Sequence, residues 1–165
     1  MDSASLEELY FATVLELADH RGHYWRITPT LLEGDDASRV LSPRTEAFIL
    51  TAENPESAGQ FSPEENAAAT ASLAHELDHA SVVVRACPGY SLESDHVEPG
   101  FALLASSDDA PALRDYTMSL ARSYRQNAIF HLTSRGLGLI GVLRPELQGF
   151  REVQITPSSS PVTAA

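Results

Sequence analysis

The feature that most constrains this chain is an abrupt change of pattern between residues 45 and 80. The run Ala47-Phe48-Ile49-Leu50 is apolar and stops at Thr51-Ala52-Glu53-Asn54-Pro55, which reads as the end of a buried strand. Ser62-Pro63-Glu64-Glu65 then opens a helix: Ser62 suits the cap, Pro63 the first helical position, and Glu65 completes a capping box. The helix is predicted to run through an Ala-rich stretch to about Ala80, with Leu73 and Leu77 on its buried side. Strand followed by capped helix calls for a sheet with helices packed on it.

The rest of the chain repeats the theme. Residues 6–17 fit both a helical stripe (Leu6, Leu9, Tyr10, Thr13, Leu17) and a strand alternation (Phe11, Thr13, Leu15, Leu17). Asp19-His20-Arg21-Gly22 reads as a turn before the aromatic and β-branched run His23–Thr28, which favours a hairpin. Residues 29–44 read as a loop with one short helical turn, and Thr45–Leu50 as a strand. Ser81–Cys87 is predicted to be a strand stopped by Pro88-Gly89; a flexible acidic loop follows from Tyr90 to Val97, and Phe101–Leu104 is the next strand. Asp108-Asp109-Ala110-Pro111 opens a second long helix, about 110–124, and strands at Asn127–His131 and Gly138–Val142 close the domain around the turn Ser134-Arg135-Gly136. The expected fold is one α+β domain over residues 1–150, a two-layer sandwich of a mixed or mainly antiparallel sheet with two long helices. Residues 151–165, rich in Ser and Pro at their end, are expected to form a disordered tail.

Composition excludes some classes of function. The net charge of -12, with all eleven basic residues arginine, argues against nucleic acid or an anionic membrane as partner. No apolar run approaches the roughly 18 residues of a membrane span, and residues 1–8 lack the basic and apolar regions of a signal peptide. The single cysteine, Cys87, cannot form an internal disulfide, so a cytoplasmic protein is expected.

Polar residues recur at predicted strand ends: Thr51 and Asn54 after one strand, Glu98 before the next, and Gln126 and Asn127 before another, with Asn66 in the first turn of the helix. Amides both donate and accept, which suits recognition of a small polar ligand. Glu98 is the one ionisable member of that set, and burial would raise its pKa. Thr51, Asn54, Asn66, Glu98, Gln126 and Asn127 are therefore the candidate ligand-binding residues of a binding or regulatory module for a small polar molecule or a protein. The same amides also serve turns and caps. No cofactor is expected.

The alternative is a zinc-dependent hydrolase. His75-Glu76-Leu77-Asp78-His79 has the H-E-x-x-H form, which on a helix puts two histidines on one face with Glu76 as general base and Glu98 or His96 as a third ligand. Against it, Leu73 and Leu77 face the core, which turns His75 and His79 toward solvent. Gly136-Leu137-Gly138-Leu139-Ile140-Gly141 matches a phosphate-loop pattern by letter only, because it lies in a terminal hairpin. No G-x-S-x-G elbow is present.

The stretches Ala47–Pro55, Ser62–Ala67, Glu98–Phe101 and Arg125–Ile129, in that order, resemble the bacterial domain-of-unknown-function family 3293 across about residues 9–143. Glu53 stands where that family often has Trp, Gly100 where it often has Ser, and Tyr124-Arg125 where it has Phe-Gly. The resemblance implies a residue list and no reaction.

Overall fold

The computed structural model describes residues 2–57, 61–93 and 96–159. Chain order is α1 (Ser3–Phe11), β1 (Thr13–Ala18), β2 (Tyr24–Thr30), a 3-10 turn (Ala37–Arg39), β3 (Thr45–Thr51), a second 3-10 turn (Pro55–Ser57) and α2 (Pro63–Asp78). Then come β4 (Val83–Ala86), β5 (Gly89–Ser91), β6 (Val97–Glu98), β7 (Gly100–Ser106), α3 (Ala110–Ser123), β8 (Ala128–Thr133), β9 (Gly136–Gly141) and β10 (Gln148–Ser158). The strands form one sheet in the order β4-β7-β3-β8-β9-β10-β2-β1-β5-β6. Every ladder in it is antiparallel.

This corrects the expected two-layer sandwich with two long helices. Among the described residues the fold is a ten-stranded antiparallel half-barrel with three helices. The reason lies in the two faces of the strands. Ala47 and Ile49 of β3, Ala102 and Leu104 of β7, and Ala128, Phe130 and Leu132 of β8 point into one cluster with Leu15, Leu17, Ile27, Val153 and Ile155 from the far half of the sheet. The alternate residues Phe48, Leu50, Leu103 and Ile129 join Leu73 and Leu77 of α2 and Leu113, Leu120 and Ala121 of α3. Period-two alternation with both faces apolar demands cover on both sides. The helices supply it outside, and the curled sheet supplies its own cover inside.

The ends of the interior are closed by short elements. The turn Ala37–Arg39 sits at the β8–β9 end, where the Ala37 N–H donates to the Ser134 carbonyl at 3.0 Å. At the opposite end α1 lies beside Thr51 and Ala128, with Tyr10 edge-on to Phe130 at 5.7 Å between ring centroids. Residues 6–17 thus satisfy both of their patterns in turn, helix to Phe11 and strand from Thr13.

Two further expectations change. The acidic stretch Tyr90–Val97, read as a loop, begins inside β5 and ends inside β6, which pair with each other while β5 also pairs with β1. Residues 151–158, expected to be disordered, belong to β10, which pairs with β9 through Arg151 and with β2 through Ser158. The β10 edge beyond Arg151 is met by Asp35, whose N–H donates to the Val153 carbonyl (2.7 Å) and whose carboxylate accepts from the Ile155 N–H (2.8 Å). Pro157 is tolerated because its missing donor falls past that contact. Residues 160–165 of the expected tail lie outside the described residues. The capping box of α2 forms as expected, with Ser62 and Glu65 each accepting from the other's N–H.

Candidate functional site

The site begins where β3 runs out. Thr51 shares the inward parity of Ala47 and Ile49, and its hydroxyl accepts from the Glu53 N–H at 3.1 Å, starting a sharp turn. Asn54 adopts a left-handed conformation (φ 45°), which Asn tolerates better than most residues. Asn66, in the first turn of α2, locks it: the Asn54 N–H donates to Asn66 Oδ1 (2.9 Å), and Asn66 Nδ2 donates back to Asn54 Oδ1 (3.1 Å). From the far side, buried Gln126 donates to the Glu53 carbonyl at 2.9 Å, and Arg125 pairs with Glu56. Asn127 donates to Ser57 Oγ at 3.2 Å. Asn66 and Asn127 therefore hold the loop, whereas Asn54 and Gln126 both hold it and face the cavity it encloses.

That cavity has a volume of about 300 Å³ and is lined by Thr51, Glu53, Asn54, Ser57, Glu98 and Gln126, with Leu6, Leu9, Tyr10 and Thr13 from the α1–β1 side. Four of the six sequence candidates, Thr51, Asn54, Glu98 and Gln126, thus meet at one place. Glu98 is half-buried at the start of the β6–β7 segment. Burial pushes its pKa above the ordinary value, a hydrogen bond with Thr51 opposes this, and the nearby Glu53 charge reinforces it.

Sequence reasoning missed Glu53. It is only 8% exposed, and burial raises its pKa against the opposing effects of His96 and a hydrogen bond from Thr70. His96 Nε2 lies 4.0 Å from Glu53 Oε2, and Thr70 Oγ1 donates at 3.4 Å. The signal was present as an acid where the resembled family often carries Trp. Tyr10 was missed as well. Burial raises its phenol pKa, an interaction with Ser57 opposes that shift, and Glu98 adds to it.

A second cavity, of about 310 Å³, lies directly inward and shares Leu9, Tyr10, Thr13, Thr51 and Glu98 with the first. Its deeper walls are Leu15, Ile49, Ala128 and Phe130, with Cys87 and Gly89 where β4 passes into β5.

The H-E-x-x-H segment lies elsewhere. His75 and His79 are exposed on α2, their rings 4.6 Å apart, and His79 Nδ1 is 2.8 Å from the His75 carbonyl. Glu76 accepts from the Tyr124 hydroxyl at 3.2 Å. Neither Glu98 nor His96 joins the pair: among the described residues, no three His, Cys, Asp or Glu side chains gather as a metal-ligand group. Among the described residues, no helix is long and apolar enough to cross a membrane.

The family described as "Protein of unknown function (DUF3293)" matches residues 50–129, a narrower span than the 9–143 expected from the motifs. Over this stretch the chain matches that family's model. The match takes in Thr51, Glu53, Asn54, Glu98 and Gln126, whereas the α1 side of the cavity lies before it. Comparison with curated proteins and with solved structures gave no match.

Proposed function

We propose that this chain is a small-molecule-binding module whose ligand seats in the cavity beneath α1 and is held by Glu98. The observation that carries this reading is the convergence of Thr51, Glu53, Glu98 and Gln126, from three separated segments, on one concave site. Ligand sites characteristically combine a largely preformed cavity with a few convergent polar groups and an ionisable group of shifted pKa. The amides are committed to the loop, so the carboxylates are the groups left to recognise a ligand's donors.

The test is thermal melting of the parent and of Glu98→Gln against a library of small polar metabolites, followed by titration of any hit. Losing a half-buried, charged hydrogen bond is worth about 1.5–3 kcal/mol, so binding should weaken roughly 10- to 100-fold. A variant that binds the same ligand as tightly as the parent removes Glu98 from the site.

The unliganded proteins give a control through pH. A carboxyl with a raised folded-state pKa holds its proton more tightly in the folded chain than in the unfolded one, so its ionisation weakens folding as pH rises. Glu98→Gln should therefore melt slightly higher than the parent at pH 7. The gain should fade as pH falls from the raised folded-state value toward the ordinary Glu value of 4.5, and be absent well below 4.5, where both states are protonated. A gain that persisted unchanged at pH 3 would trace to packing instead.

A further inference from the structure

Building on that binding reading, we infer that the ligand is an amphiphilic amine, with a hydrocarbon tail in the inner chamber and an ammonium head between Glu53 and Glu98. Three observations carry it.

The first is continuity. Leu9, Tyr10, Thr13, Thr51 and Glu98 line both cavities, so a molecule seated against Glu98 has the inner chamber directly behind it. The second is the chamber wall. Leu15, Ile49, Ala128 and Phe130 offer carbon surface, and Ala128 and Ile49 are themselves buried. An apolar cavity offers water few partners and is better filled by hydrocarbon. At about 30 Å³ per water-sized group, a chamber of about 310 Å³ has room for a chain of roughly six to ten carbons.

The third is the charge at the junction. Glu53 and Glu98 face the mouth, and no Arg lines either cavity among the described residues. His96 is the ionisable nitrogen there; its side chain is 60% exposed and stands 4.0 Å from Glu53. A fatty acid would bring a third carboxylate to this point, where no arginine receives it and His96, which lines the chamber, already stands beside Glu53. An ammonium brings the opposite charge and three donors. The net charge of -12 adds a field that draws cations and repels anions. Leu9, 52% exposed on α1, marks the rim by which a tail enters.

The test is calorimetric titration of the whole chain with n-alkylamines from butyl to decyl, and with the alkanols and alkanoates of equal length. Affinity for the amines should rise about four-fold per methylene and level off once the chamber is full. Alkanoates should bind at least ten-fold more weakly than the matching amines. Glu98→Gln should erase most of the preference for amine over alkanol while keeping the dependence on length. Ala128→Leu, which narrows the chamber, should move the plateau to shorter chains. Should that variant not fold, the length series on the parent decides alone.

Absence of any length dependence in the parent overturns the chamber assignment, even if a tail-less polar metabolite binds through Glu98, and the proposed function then stands without it. A length dependence equal for amine, alkanol and alkanoate, and untouched by Glu98→Gln, overturns the amine head and the Glu98 reading together.

Discussion

Gly100 has no side chain because the Cys87 carbonyl oxygen lies 2.5 Å from where a Cβ would stand, with the Leu50 carbonyl at 3.4 Å. The resembled family often has Ser here, so this chain has closed a space that such a residue would need. Gly100 pairs with Thr51 in the β3–β7 ladder, so a push at this point reaches the floor of the site. Gly100→Ser should destabilise the protein by about 1–3 kcal/mol, the usual cost of overpacking against backbone. Urea denaturation measures it, and an unchanged midpoint would mean that the β4–β5 passage yields easily. At this scale much of the site was legible. A Thr and an Asn-Pro after an apolar run announced the turn, though not the left-handed conformation that Asn54 takes in it. Its partner Asn66 was among the candidates, but nothing local says that the two amides bond each other. Glu53 was legible only as a departure from a pattern, because the burial that gives it meaning comes from α2 and the β5–β6 segment.

Among the elements, β10 separates what sequence could give from what it could not. Its inward residues Val153 and Ile155 alternate as a strand should, but Pro157 and the serines suggested a loose end. What makes it a strand is distant: β2 on one side, and β9 then Asp35 on the other. Removing it strips Val153 and Ile155 from the inner cluster that holds Ile27 and Leu137, and leaves β2 and β9 each without one of their two hydrogen-bonded neighbours. A chain cut after residue 150 should therefore lose cooperative melting altogether, whereas the disordered-tail reading expects the parent's melting temperature. Far-ultraviolet circular dichroism through a thermal ramp distinguishes the two. The helices were easier to read. The α2 capping box and the Leu73–Leu77 stripe are local signals, and they formed where they were written. Short strands such as β5 and β6 carry almost no local signal, so their pairing partners define them.

The curvature of the whole molecule depends on how its chain crosses between the two ends of the sheet. β4 and β7 sit at one end and β5 and β6 at the other, yet β4 passes into β5 through Cys87-Pro88 and β6 into β7 through Pro99. Pro88-Gly89 reads as a stop in the sequence, but here the proline bends a two-stranded ribbon and sends it onto β1. The bend is bonded to both halves. The Cys87 N–H donates to the Gly100 carbonyl (2.8 Å), the Glu16 N–H to the Pro88 carbonyl (3.0 Å), and Arg85 to the Ala18 carbonyl (2.9 Å). Cys87, 1% exposed, reports on this junction, and its thiol is pushed up to about 12 by burial, with Glu16 adding to the shift. Iodoacetamide needs the thiolate, so at pH 8 the folded protein should be nearly inert to it and an opened chain reactive. Because the junction is tied on both sides, opening it should require the half-barrel to come apart. The labelling rate should then rise with urea as steeply as the unfolding equilibrium read by circular dichroism, since that slope scales with the surface exposed. A shallow urea dependence, with labelling well below the unfolding midpoint, would instead identify the ribbon as a locally opening segment. The two ends of the sheet would then be held together by the inner core and not by the chain that joins them.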